Sequence, residues 1–98
     1  MISDAEFKRR INRGIRLLDR KYGKKWREKI RLDYLDLGSG VSCVLGQTDH
    51  SYEDHRDALG LNNNSAVRYG FYAKTGSYWA WDRLTALWKA ALRRRGCK

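Results

Sequence analysis

Residues 3–23 hold the feature that most limits what this chain can become. Ser3-Asp4-Ala5-Glu6 is a capping-box pattern, in which a serine hydroxyl and a glutamate carboxylate satisfy early helix donors reciprocally. Behind it Phe7, Ile11, Ile15, Leu18 and Tyr22 recur at helical spacing and form one apolar stripe, with Gly23 as a stop. The pattern predicts a helix of about 18 residues that must bury one face against another element. A second stripe answers it. Trp81, Leu84, Trp88, Ala91 and Leu92 predict a helix capped by Ser77, running to the region of Arg95 and followed by Gly96.

Between these two helices the signals are shorter. KKWREKI predicts a second helix that carries Trp26 and Ile30 inward. RLDYLDL is too brief to assign. SYEDHRDALGL predicts a helix from Ser51 to Gly60, its acids placed where a helix N-terminus favours negative charge. LNNNS is a turn, with Ser65 as the cap of a short helix through Ala66 and Val67. RYGFYA has the composition of a short strand, but no partner strand is evident. With no proline, repeat or low-complexity linker, residues 1–98 are expected to form one domain. It is mainly α, a small domain of four to five helices with the long ones at both ends, and room for one short strand or hairpin.

Two classes are set aside. No apolar run approaches the roughly 18 residues of a membrane span. Asp4, Glu6, Lys8, Arg9 and Arg10 stand where a signal peptide needs an apolar stretch. Two cysteines, Cys43 and Cys97, are too few for a disulfide scaffold and read as reduced thiols of a cytosol.

The stretch LDLGSGVSCVLGQ, Leu35 to Gln47, invites three chemical readings. A phosphate-binding P-loop needs Gly-Lys-Ser/Thr, and here Gly46 is followed by Gln47. A dinucleotide fingerprint needs a third glycine where Cys43 stands. Cys43 as a nucleophile would need a base such as His50 or His55. It lies instead in an apolar run, where a buried cysteine acts as a small hydrophobe. The glycines are therefore expected to form a turn that carries Val41, Cys43, Val44 and Leu45 into the core, and no enzymatic activity is expected.

The same stretch, with Leu59-Gly60-Leu61, Gly70-Phe71 and Leu84-Thr85 followed by Trp88, resembles a family of small proteins encoded by actinobacteriophages. The family pattern runs Leu-Asp-Leu, a turn, Cys-Val-Leu-Gly-Gln, Leu-Gly-Leu, Gly-Phe and Leu-Thr-x-x-Trp, and it covers residues 26–92 of this chain. The resemblance implies a phage origin and action inside a bacterial host. It brings no activity with it.

TDHSYEDHRD crowds two histidines and four acids into one segment, and His50, Asp54 and Asp57 would share a helix face. A dedicated zinc site normally converges three or four nitrogen or sulfur ligands. Solvated histidines and acids near a helix start explain the segment at less cost, so neither a metal nor a cofactor is expected.

Charge is the stronger functional signal. Net charge is +10, but it is divided: residues 1–31 carry +8, residues 32–82 carry −4 and residues 83–98 carry +6. The ends either fold back on the acidic middle or form a surface for a polyanion. On the first helix Arg9, Arg13, Arg16 and Arg20 fall within about 60° of one another, opposite the apolar stripe. They form a ridge roughly 16 Å long. Arginine suits bidentate phosphate contact. Lys24, Lys25 and the tail Arg93-Arg94-Arg95 extend the ridge if the terminal helices pack together.

A second surface competes. Trp79 lies about 200° from Trp81 around a helix, so both cannot face one core unless the helix starts late. Exposed, Trp79 and Tyr78 would anchor a protein interface. The expectation is a non-enzymatic accessory protein of the host bacterial cytoplasm that binds a macromolecule. Nucleic-acid phosphate, taken through the basic helix face, is the preferred partner. The alternative is an inhibitor or modulator of a host or defence protein through Tyr78 and Trp79.

Overall fold

The computed structural model describes residues 3–48, 56–73 and 78–97. Helix α1 spans Asp4–Tyr22, a 3-10 helix spans Lys24–Lys29, and α2 spans Val44–Thr48. Helix α3 spans Asn63–Arg68 and α4 spans Tyr78–Arg93. The mainly helical single domain with long helices at both ends is thus observed. Residues 56–58 are helical too, and Gly60 follows them with φ 73°; the expected start at Ser51 lies outside the described residues, as does the cap Ser77.

Ser3 caps α1 by accepting the Glu6 amide at 3.2 Å, but the reciprocal half of the box does not form. The Glu6 carboxylate turns instead to Arg9 and Arg10, because two guanidiniums outbid one backbone amide for it. Gly23 ends the helix at φ 72°, where a side chain would be strained. Phe7, Ile11, Ile15 and Leu18 are all buried, so the stripe does what its spacing implied.

Helices α1 and α4 pack against each other in the same sense. Asp4 near the start of α1 pairs with Arg83 early in α4, and Asn12 further along α1 accepts from Arg95 past the end of α4. Between them Trp88 is fully buried, its indole donating to the Gly70 carbonyl at 2.6 Å and its ring stacked 5.8 Å from Phe71. The Tyr69–Phe71 turn also runs hard against α1. A Cβ on Gly14 would stand 2.2 Å from the Tyr69 carbonyl oxygen, so that helix position admits only hydrogen. These contacts explain why, after Arg68 closes α3, the rest of RYGFYA is turn and irregular chain rather than strand. Its backbone is spent on helices and a tryptophan, and no strand among the described residues offers it an edge.

Two further expectations about the fold need correcting. The cap of α3 is Asn62, whose side chain accepts the Ser65 amide at 2.9 Å while the Ser65 hydroxyl accepts the Asn62 amide at 2.9 Å. Val41 is not a core residue but 67 % exposed. Gly46 packs so closely on the Val41 backbone that a Cβ would meet it at 2.7 Å, which turns the valine side chain outward while Cys43, Val44 and Leu45 enter the core.

Candidate functional site

The glycine stretch closes on itself. The Gly38 amide donates to the Asp36 carboxylate, Ser39 to the Asp36 carbonyl, Ser42 to the Ser39 hydroxyl and Cys43 to the Ser39 carbonyl. Gln47 staples the ends, accepting the Arg31 amide at 2.6 Å and donating to the Ser42 carbonyl at 2.8 Å. Thr85 on α4 accepts the Leu37 amide. With those amides already donated, the loop does not present the row of free N–H groups that a phosphate cradle needs. The Cys43 thiol accepts the Gly46 amide, and burial pushes its pKa up, away from the reactive thiolate.

Of the second candidate, His50 and Asp54 lie outside the described residues, and Asp57 is exposed beside Arg56. Among the described residues no three metal-ligating side chains converge. Nor is any helix among them long and apolar enough to cross a membrane.

The arginine ridge divides along its length. Arg9 pairs with Glu6 at 2.7 Å, and Arg13 donates to the Arg68 carbonyl at 2.9 Å. Arg16 and Arg20 are exposed and have no hydrogen-bond or ion-pair partner among the described residues. Arg9 in turn holds the Glu6 carboxyl below its usual range, as the hydrogen bond from Arg83 does for Asp4.

Because α1 and α4 run in the same sense, their C-terminal ends meet at one pole, with the 3-10 helix lying across it. Lys24 and Lys25 are exposed there, and so are Arg93, Arg94 and Arg95. The cations also suit the negative ends of both helix dipoles. Asp19 organises this pole. Its carboxylate accepts the Trp26 indole at 2.8 Å and pairs with Arg27 at 2.7 Å, which fastens the 3-10 helix to α1. Arg27 is left with its Nε buried and without an acceptor.

A groove of about 550 Å³ opens between the 3-10 helix and the end of α4. Lys24, Arg27, Arg31 and Arg95 line it, with Glu28 the acid among its walls. Cys97 lies in it, its thiol donating to the Arg27 carbonyl at 3.7 Å and held above its usual pKa mainly by partial burial. Neither the groove nor the part played by Asp19, Arg27 and Arg31 was legible as a site from spacing. The available signal was the density of basic residues in KKWREKIR.

The aromatic surface lies elsewhere. Tyr78 is 87 % and Trp79 is 50 % exposed at the first turn of α4. Trp81, expected inside, is only partly buried and meets Tyr72 edge-on at 5.1 Å. With Trp88 and Phe71 occupying the centre, the helix start stands at the rim of the core. The aromatic pair and the basic pole are about 22 Å apart along α4.

No protein-family model, no curated protein and no solved structure matches this chain.

Proposed function

We propose that this protein is a non-enzymatic, phage-encoded accessory protein of the bacterial cytoplasm that binds the phosphate backbone of nucleic acid through its basic pole. The carrying observation is the absence of acidic partners for Arg16, Arg20, Lys24, Lys25, Arg93 and Arg94 among the described residues. Unpaired cations gathered from three segments release counterions when they meet phosphates, and that release supplies sequence-independent affinity. The origin and the compartment rest on the sequence pattern alone.

The test is a salt titration of binding to duplex and single-stranded oligonucleotides of unrelated sequence. Log affinity should fall linearly with log salt, by about 0.9 per duplex phosphate contact, and alike for each sequence. Lack of salt-sensitive binding at physiological ionic strength would overturn the reading.

The exposure of Tyr78 and Trp79 favours a second reading, a modulator of a host or defence protein. On that reading a partner retained after nuclease treatment is lost by Trp79→Ala and kept when the basic pole is neutralised. The opposite pattern excludes it.

A further inference from the structure

The basic pole offers more than charge. Arg31 lines the groove and also lies over the ring of Tyr34, its guanidinium carbon 4.5 Å from the ring centroid. Tyr34 is 59 % exposed, an unusual place for a large ring that takes no part in the core. Asp33 also pairs with the Arg31 guanidinium at 3.4 Å. The guanidinium covers one face of the Tyr34 ring, so the cationic groove ends at a layered guanidinium–phenol pair. The groove, at about 550 Å³, falls within the range of roughly 300–1,000 Å³ typical of sites that enclose a ligand.

A duplex cannot use such a surface, because its base faces are stacked on one another. An unpaired base can, and every base has a π-face to lay on an aromatic ring or an arginine plane. Charge beside an exposed ring is the pairing by which single strands are held without sequence preference. We propose that the basic pole takes single-stranded nucleic acid, with a phosphate lodged in the groove against Lys24 and Arg95 and an unstacked base extending the stack that Arg31 and Tyr34 begin. This rests on the phosphate-backbone reading and narrows it to one strand form. Glu28 on the groove wall sets a limit, since it repels a second phosphate and favours a single lodged group. Cys97 becomes a reporter, because it lies in the same groove while Cys43 is buried.

The experiment measures anisotropy with labelled oligothymidylate and its RNA counterpart, each about twelve nucleotides long, against a mixed-sequence duplex of the same length. Both single strands should bind more tightly than the duplex. Tyr34→Ala should weaken single-strand binding about tenfold and leave duplex binding unchanged, whereas Tyr34→Phe, which keeps the ring, should bind as the wild type does. Oligothymidylate should slow alkylation of Cys97. If Tyr34→Ala binds single strands normally, if the duplex binds as well as they do, or if Cys97 stays unprotected, the inference fails while salt-sensitive duplex binding keeps the backbone reading alive. If no strand form binds in a salt-sensitive way, both fall together.

Discussion

The two poles of the α1–α4 pair are built from the same kind of side chain and end in opposite electrostatic states. At the N-terminal pole each arginine meets an acid: Arg83 bonds Asp4, and Arg9 and Arg10 share Glu6. At the C-terminal pole Asp19 is already taken by Trp26 and Arg27, and Arg16, Arg20, Arg93 and Arg94 find no acid among the described residues. A count of arginines does not distinguish the poles. The positions of three acids do, and they convert one end into internal structure while leaving the other as a surface with charge to spend on a partner.

The sharpest way to break this comparison is to remove what holds the helices side by side. Trp88 fills the space between them and donates to the Gly70 carbonyl, so Trp88→Ala should cost about 3–5 kcal/mol. That is a large share of the stability of a small domain. Denaturant unfolding measures it, and a loss below about 1 kcal/mol would mean that the poles are defined without this contact.

Asp19 is the acid that the C-terminal pole uses for itself. Asp19→Ala should cost about 1–3 kcal/mol, because the Trp26 indole and the Arg27 guanidinium then lose their shared acceptor in a half-buried place. The emission of Trp26 should shift with the loss.

Neutralising the free cations sharpens the comparison with less disturbance. Arg16→Gln, Arg20→Gln, Lys24→Gln and Lys25→Gln should each change stability by no more than about 0.5 kcal/mol. Together they should flatten the slope of log affinity against log salt by about 0.9 for each duplex phosphate contact removed. Arg9→Gln, drawn from the compensated pole, should change the slope far less. Equal effects from both poles would show that pairing with Glu6 does not take Arg9 out of use.

The smallest effect belongs to acid titration of the N-terminal pole. Asp4 and Glu6 have their carboxyl groups held below the usual range in the folded state, by hydrogen bonds from Arg83 and Arg9. Their contribution is therefore complete above the carboxylate range of the unfolded chain. It is lost as pH falls through the lower folded values. Stability of Asp4→Asn should depend less on pH in that acidic window than that of the wild type, and should match it in shape near neutrality.

Much of the architecture was legible from periodicity. Phe7, Ile11, Ile15 and Leu18 lie at a spacing that only a helix puts on one face, and Leu84, Trp88, Ala91 and Leu92 repeat the device. Local chemistry alone closed the first helix at Gly23 and ruled the glycine stretch out as a P-loop, because those judgements depend on neighbours in the chain. It misplaced Val41, Trp81 and the cap of α3, where the answer depended on which backbone or ring had already taken the space. The ridge Arg9-Arg13-Arg16-Arg20 was likewise visible, but the two halves of it could not be told apart.

What the sequence by itself determined is the set of faces: an apolar stripe on each long helix, arginines opposite one of them, and basic ends around an acidic middle. A face follows from spacing along one element, and spacing is printed in the chain. Only the tertiary structure decided that α1 and α4 run in the same sense, which gathers their C-terminal ends, the 3-10 helix and Arg31 beside Tyr34 at one pole. That direction is set by contacts between residues 79 and 83 positions apart, Asp4 with Arg83 and Asn12 with Arg95. No local propensity encodes a pairing of that range; packing around Trp88 and the close approach at Gly14 select it.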